Sequence, residues 1–320
     1  MNIPLEIWIQ ISYHLELYAL LICNKFISIY DESWFKHKLL SLYPDCNTNN
    51  DSWKNLYSKS LKSGNIYECK DDCILKKCFS MEGVKVSHIR GNLYIVLTFD
   101  QKVWSNISND GETWEQKLID VNVNDIDGNL YIKGNKLYYI NFYRNDDILA
   151  SESKLIVEAE TDFISLLHLN SCYAITRNKF YYTRNYKRPF KIFDCTYASK
   201  LIYYSYELIL VQYEDDEIEV LNPWKSTFHK LNIPNIKNIY PSIAKTVNGD
   251  LIHYVCSWKG EKLISNSEII NSKMTNLTEA INSSSHILLI DGSIYKLNKL
   301  ELKYITANVK NICRDDYIIM

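Results

Sequence analysis

The chain has 320 residues, of which 47% are hydrophobic and 23% charged, and its formal net charge is −2. This composition is typical of a globular protein, and the near-neutral charge excludes a broad basic surface for nucleic acid. No run of about twenty apolar residues occurs, and the acidic Glu6 lies where a signal peptide would be basic, so we expect neither a membrane span nor secretion.

Residue usage is skewed towards residues with A/T-rich codons, with 25 Tyr but only 9 Gly and 6 Pro. Such a bias is typical of the genomes of large DNA viruses of protists and of some parasites. Nine cysteines are scattered, and the cluster Cys69, Cys73 and Cys78 lacks the second ligand pair of a structural zinc site. We therefore predict no metal and a reducing compartment, the cytoplasm or nucleus (of a host cell if the chain is viral).

The first residues form the most informative segment. Pro4 suits the first turn of a helix, and apolar residues then recur at helical spacing as far as Leu15. A second apolar run covers residues 17–22, and Trp34 closes the segment. The opening Ile-Pro-x-Glu-Ile, followed by this run and the tryptophan, resembles the F-box, although Ile3 stands where that family usually has Leu.

This resemblance implies that the segment docks on the Skp1 adaptor of a ubiquitin ligase and, through Skp1, on a cullin. It also implies that Trp34 packs the module itself. The adaptor-binding residues are the apolar ones of the two runs: Pro4, Leu5, Ile7, Ile11, Leu15, Leu20 and Leu21. The alternative is a helical cap folded onto its own domain, which would have to cover this apolar surface from within the chain.

Two more helices are predicted over residues 34–43 and 53–61, the first stopped by Pro44 and the second capped by Asp51. They would hold the N-terminal module at a fixed angle to the rest of the chain. The predicted domains are an F-box-like module over 1–42, a helical linker over 43–63, and a strand domain over 64–320.

From Gly64 the apolar spacing becomes that of strands, and a repeat emerges. The clearest unit, residues 84–104, is an alternating strand, a turn, an apolar strand, a second turn and a strand that ends on Trp104. Its last strand recurs about every 40 residues, which is the size of one propeller blade. The predicted copies are 65–67, 102–104, 136–138, 179–181, 217–219, 262–264 and 293–295.

The two ends of this array complement each other. Residues 308–320 supply two strands of a further unit, and residues 64–67 match its missing third strand. Because a circular array must protect its edges, we predict that both segments share one blade. The predicted fold class is α+β multidomain: a small helical module followed by an all-β propeller of about seven blades.

The unit at residues 84–104 resembles the repeats of RCC1-like propellers, which run apolar-x-apolar, Gly, an apolar strand, Thr, a turn with Asp and an aromatic residue. The other copies match less closely and lack most of the glycines of that family. Kelch-like propellers remain an alternative. A two-sheet β-sandwich would also explain many short strands, but it would not explain the period.

No catalytic motif is present, and we predict a non-enzymatic protein without a cofactor. The seven histidines lack metal-ligand spacing, and no nucleophile elbow, phosphate loop or dinucleotide fingerprint occurs. Residues 108–114 resemble the Asp-box of sialidase-type propellers, which is a structural turn. The acidic run Glu214–Glu217 is interpreted as a solvated hairpin turn rather than a metal or catalytic cluster.

One loop mixes aromatic and basic side chains. Tyr182, Arg184, Tyr186 and Arg188 are predicted to contact a protein substrate, because Tyr and Arg dominate protein interfaces. The alternative is stacking on single-stranded nucleic acid, which the net charge disfavours.

Together these patterns predict the substrate-recognition subunit of an SCF-type (Skp1–cullin–F-box) ubiquitin ligase, in which the propeller binds a protein substrate. One alternative is an RCC1-like guanine-nucleotide exchange factor or chromatin-binding propeller, with the helical N-terminus as a structural cap. A second is a propeller glycosidase, which would need clustered acids, a tyrosine and arginines at the mouth of the central channel.

Overall fold

The computed structural model describes two helices and a large set of short strands. The described residues are 32–43, 52–60, 63–70, 73–108, 113–145, 148–169, 171–186, 188–205, 208–215, 217–222, 227–231, 233, 236–240, 243–248, 250–259, 262–271, 277–281, 286–289, 293–298, 301–313 and 317–320.

The two helices are α1 (Glu32–Leu42) and α2 (Trp53–Ser60). The hydroxyl of Ser52 accepts a hydrogen bond from the Asn55 N–H at 3.1 Å, which makes Ser52 the N-cap of α2. The carboxylate of Glu32, at the start of α1, accepts a second bond from the Trp53 N–H at 2.7 Å. The start of one helix is thereby tied to the start of the other. Asp51, the predicted cap, lies outside the described residues.

The helices share an apolar core with the strand domain. Rings of α1 and α2 meet edge to face, with Trp34 and Tyr57 centred 5.6 Å apart. Phe99, in a turn of the strand domain, belongs to the same buried cluster. The ring of Tyr43, just after α1, lies 4.4 Å from that of Phe99. The cluster consists of Trp34, Phe35, Leu39, Leu56, Tyr57 and Phe99.

Within the described residues the strands form seven four-stranded antiparallel sheets, numbered here in chain order. Sheet 1 contains β1 (Gly64–Lys70), β2 (Cys73–Gly83), β27 (Asn311–Cys313) and β28 (Tyr317–Ile319), in the order β2-β1-β28-β27. Sheet 2 contains β3 (Lys85–Arg90), β4 (Leu93–Leu97), β5 (Val103–Ile107) and β6 (Glu115–Asp120). Sheet 3 contains β7 (Asp125–Asp127), β8 (Leu130–Lys133), β9 (Lys136–Asn145) and β10 (Ile148–Glu158).

The remaining sheets repeat this pattern, with each strand paired to the next along the chain. Sheet 4 contains β11 (Phe163–His168), β12 (Cys172–Thr176), β13 (Lys179–Thr183) and β14 (Lys191–Asp194). Sheet 5 contains β15 (Ala198–Ser205), β16 (Leu208–Tyr213), β17 (Ile218–Asn222) and β18 (Thr227–Lys230). Sheet 6 contains β19 (Ile236–Tyr240), β20 (Ile243–Thr246), β21 (Leu251–Lys259) and β22 (Lys262–Asn271). Sheet 7 contains β23 (Leu277–Ile281), β24 (His286–Leu289), β25 (Ile294–Asn298) and β26 (Glu301–Thr306).

The core lies in apolar layers between neighbouring sheets. In β4, Tyr94 and Val96 pack towards sheet 1, whereas Ile95 and Leu97 pack towards sheet 3. Both faces of the second strand are therefore buried, which explains why β4 is an unbroken apolar run.

The structure corrects two details of the predicted repeat. Each complete repeat has a fourth strand that the sequence pattern did not reveal. In β6 and β14 the reason is that most residues are exposed and the apolar ones stand in adjacent pairs instead of alternating. Residues 262–264, predicted as a third strand, belong to the fourth strand of sheet 6. The third strand there is β21. The error arose because β22, like the predicted third strands of other repeats, begins with a lysine followed by apolar residues.

Side chains of the first strands link one sheet to the next. The Ser87 hydroxyl in β3 accepts a hydrogen bond from the N–H of Gly128, just after β7, at 3.1 Å. The Asp127 carboxylate in β7 accepts one from His168 N–H in β11 at 2.8 Å. The Ser165 hydroxyl in β11 accepts one from Leu201 N–H in β15 at 3.2 Å. Sheets 2 to 5 are therefore joined by the same kind of bond, made at equivalent places.

Replacement of Asp127, which is only 4% exposed, tests this link. Asp127→Ala leaves the buried N–H of His168 without this acceptor, so we expect a loss of about 1–3 kcal/mol in the free energy of unfolding. Asp127→Asn keeps an acceptor oxygen and should lose less, about 1 kcal/mol or below. Urea unfolding at neutral pH measures both, and equal stability of the two variants would contradict the proposed role of this bond.

Candidate functional site

Each of sheets 2 to 5 has its turns at two opposite edges, where the strands begin and end. Because strands alternate in direction, each turn between second and third strands lies at the same edge as the segment that enters the next sheet. Backbone hydrogen bonds of 2.9–3.0 Å join these parts, from the N–H groups of Val123, Phe163 and Ala198 to the carbonyls of Gln101, Gly134 and Arg177. We call this the helix edge, because Phe99, which contacts α1 and α2, lies on it. The opposite, hairpin edge carries the turns between third and fourth strands.

The predicted adaptor-binding residues, Pro4, Leu5, Ile7, Ile11, Leu15, Leu20 and Leu21, lie outside the described residues. Trp34 lies within them. Its side chain is buried between Phe35 and Tyr57, with ring centroids 5.1 Å and 5.6 Å away. It therefore packs α1 against α2.

The predicted substrate-binding loop joins β13 to β14 at the hairpin edge of sheet 4. Tyr182 is 4% exposed, so its ring belongs to the apolar layer between sheets 4 and 5. Its hydroxyl accepts a hydrogen bond from Arg184 Nε at 3.1 Å, while the side chains of Arg184 and Arg188 are exposed. The structure thus leaves the two arginines on the surface and removes Tyr182 from it.

Tyr186 fixes the loop against the neighbouring sheet. Its ring stacks on that of Tyr139 in β9, with centroids 3.9 Å apart and an interplanar angle of 22°. The two hydroxyls are hydrogen-bonded at 2.8 Å. The hairpin β9–β10 and the loop of sheet 4 therefore form one continuous surface. The two tyrosines are 47 positions apart in the sequence, so sequence analysis could not detect this pairing.

A cleft of about 660 Å³ opens between sheets 4 and 5 at the helix edge. It combines the acidic run predicted as a turn with three aromatic rings that the sequence analysis did not associate with it. The lining residues are Asp194, Cys195, Thr196, Tyr197, Tyr213, Glu214, Asp215, Glu217, Glu219 and Phe228.

Neighbouring cations neutralise part of the acidic charge of this cleft. Arg177 forms an ion pair with Glu214 at 2.9 Å, and its guanidinium lies 5.2 Å from the ring centroid of Tyr197. Lys230 forms a second ion pair with Glu217. These exposed pairs contribute little to stability.

Two ionisable side chains of the cleft, Cys195 and Tyr213, have pKa values above their ordinary ranges. Burial, together with the Asp194 and Glu219 carboxylates, raises the pKa of the Cys195 thiol to about 11. Burial and the hydrogen bond donated to Glu219 at 2.6 Å also raise the pKa of Tyr213. A nucleophile or general base would need a pKa near neutrality. Across the described ranges, no group of three or more His, Cys, Asp or Glu residues is arranged to hold a metal ion.

Alkylation of Cys195 tests this electrostatic description. A thiol with a pKa of about 11 forms little thiolate at pH 8. Iodoacetamide should therefore react with Cys195 at pH 8 at least about tenfold more slowly than with N-acetylcysteine. The rate should continue to rise between pH 9 and pH 11. Peptide mass spectrometry measures the rate at this one cysteine. Steric shielding alone would lower the rate at every pH without moving the midpoint, and a fast reaction at neutral pH would contradict the raised pKa.

Comparisons with known proteins do not identify a family. No family model matches the chain, and no curated protein matches it. A similar solved structure is PorZ, described as an essential bacterial surface component of the type-IX secretion system of Porphyromonas gingivalis. The sequence identity is 11% and the TM-score 0.36, over 72% of this chain and 37% of PorZ. The chain thus spans well under half of PorZ, and a similarity at this level does not indicate a shared activity.

The described helices were also compared with the dimensions of a bilayer. Neither α1 nor α2 is long and apolar enough to cross a membrane.

Proposed function

We propose that this chain is the substrate-recognition subunit of an SCF-type ubiquitin ligase. Its N-terminal segment docks a Skp1-like adaptor and through it a cullin, and its strand domain binds a protein substrate in the cytoplasm or nucleus. The chain itself has no catalytic role in this proposal. The cullin-bound enzyme catalyses the reaction, and this subunit holds the substrate in position.

The packing of the helices on the strand domain carries this proposal. The F-box-like segment leads directly into α1, and Trp34 and Leu39 of α1 share a buried core with Phe99. The two helices that follow the F-box-like segment are therefore fixed on the strand domain. A ligase receptor needs such rigidity, because it must hold its substrate at a set distance from the enzyme.

We further propose that the seven sheets close into a seven-bladed propeller. The pairing of β1 with β28, in which Ile66 lies opposite Ile319, supports closure. Contact between β27 and β3 supports it as well, because it places sheet 1 against sheet 2. The Lys310 ammonium donates a hydrogen bond to the Ser63 carbonyl at 2.8 Å, which adds a further tie between the two ends. In a rigid closed ring the blades hold the fold, and the turns at the sheet edges can bind a partner.

Closure predicts a large effect of a small C-terminal change. Ile319 is fully buried at 0% exposure, so Ile319→Ala should lower the free energy of unfolding by about 2–5 kcal/mol. Deletion of residues 317–320 should be more severe, because it removes β28 and bares the edge of β1. The matched control is Ile192→Ala, at a side chain that is 53% exposed, which should change stability by less than about 0.5 kcal/mol. Thermal melting checks all three proteins, and a truncated chain that melts like the wild type would contradict closure by β28.

Adaptor binding is tested with purified Skp1 and the full chain. We expect the wild type to bind and the variant Pro4→Ala/Leu5→Ala/Ile11→Ala to lose at least about tenfold in affinity, because it removes apolar contact area. The control Leu118→Ala/Leu155→Ala/Ile192→Ala changes the same number of exposed apolar side chains on the strand domain and should bind like the wild type. Circular dichroism confirms that each protein is folded. Failure of the folded wild type to bind Skp1 would refute the ligase proposal and leave the N-terminal segment as a cap.

A further inference from the structure

We propose that the hairpin edge of sheets 3 and 4 binds an extended acidic segment of a protein partner. Arg184, Arg188 and Lys191 would contact its carboxylates. The ubiquitination of that partner rests on the function proposed above, but the binding itself does not. This assignment specifies both the face that holds the partner and the chemistry that recognises it.

Local charge is the first argument. Residues 184–191 contain four basic residues and no acidic one, in a chain whose net charge is −2. The side chains of Arg184, Arg188 and Lys191 are all exposed. The adjoining hairpin, residues 136–158, is not basic, since it has three basic and four acidic residues. On it the exposed Lys154 lies opposite Tyr139, two residues after the exposed Glu152. The excess of positive charge therefore lies on the loop. Carboxylates that reach this surface meet an excess of positive charge.

The surface is also preorganised and partly apolar. The stacked and hydrogen-bonded pair of Tyr139 and Tyr186 holds the loop in place, so binding need not order it. Next to the cations, Ile192 on β14 is 53% exposed, and Tyr143 on β9 is 44% exposed. Arginine and tyrosine beside exposed apolar side chains are typical of the centre of a protein interface.

The backbone of β14 favours an extended partner. β14 is the last strand of sheet 4 and pairs only with β13 within that sheet. An extended peptide can lie along such a strand and add to the sheet by main-chain hydrogen bonds. Lys191 and Ile192 begin this strand, so the cations and the strand edge are adjacent. Asp194, at the far end, would direct the acidic part of the peptide towards the loop.

A nucleic acid is a poorer fit to the same cations. Its affinity comes mainly from many phosphate contacts along a charged track, and the net-acidic protein offers only a short basic patch. The exposed isoleucine would have no partner along a phosphate backbone. An oligonucleotide is therefore included in the test as a competing ligand.

The test uses the full chain and fluorescence anisotropy with three labelled peptides of about twelve residues, long enough to span a strand and its loop. They share one aromatic and aliphatic framework, and their charged positions are all Glu, all Gln or all Lys. A thymidine oligonucleotide of similar length is the fourth probe. At about 0.05 M salt we expect the Glu peptide to bind about tenfold more tightly than the Lys peptide, and at about 0.3 M salt this preference should shrink.

The variant Arg188→Glu/Lys191→Glu should abolish the preference for the Glu peptide. The control Lys54→Glu/Lys117→Glu makes the same change in net charge at exposed positions on α2 and β6, and it should keep the preference within about twofold. Melting temperatures show that both variants are folded.

Three results would overturn the proposal: no binding of the Glu peptide, equal binding by the variant and the control, or tighter binding of the oligonucleotide that the variant loses. The last result would reassign the surface to nucleic acid. Skp1 binding gives an independent readout. The Arg188/Lys191 variant should keep Skp1, and the Pro4/Leu5/Ile11 variant should keep the Glu peptide, so that failure of one proposal is distinguishable from failure of the other.

Discussion

The pairing of β1 with β28 is the interaction on which the rest of the architecture depends. Without it, sheet 1 would be two separate hairpins, and the apolar layer that joins Ile66 and Ile319 to Val86 and Val96 of sheet 2 would open. Sheet 2 in turn supplies Phe99, which seats the two helices. The chain also has no room for a side chain at this junction, since a Cβ on Gly64 would overlap the Met320 carbonyl oxygen. Strand pairing at the far end of the chain thus supports the sheet on which the helices pack.

The helix edge and the hairpin edge differ in their charge and in the elements that they carry. The helix edge holds α1 and α2 and an acidic cleft whose charges are partly paired within the protein. The hairpin edge holds the long β9–β10 hairpin and a basic loop, locked together by two stacked tyrosines. In the proposed receptor, the helices that follow the adaptor-binding segment lie at one edge, and the partner would bind at the other. The two binding events then do not compete for surface.

The sequence predicted the strand repeat because the second strands are buried on both faces. β4 and β12, buried throughout, are continuous apolar runs that a period search detects. The outer strands β6 and β14 escaped detection, since they are largely exposed and follow no alternating apolar pattern. The arrangement of the candidate site was equally invisible, because Tyr139 and Tyr186 meet only through the packing of two sheets. Burial leaves a local trace in sequence, whereas contacts between distant segments do not.

The segments that pair in sheet 1 are far apart in the sequence, and this separation affects the order in which the protein folds during synthesis. Lys310 and Ser63, which bond there, are 247 residues apart, so this contact forms only after everything between them has left the ribosome. The helices and Phe99 are much closer in sequence, and the apolar core that joins them can assemble early in synthesis. Until the late strands arrive, the hairpin of β1 and β2 keeps an unpaired edge exposed to other nascent chains. The helical end can therefore assemble first, whereas the edge of the β1–β2 hairpin is covered only when β28 pairs with it.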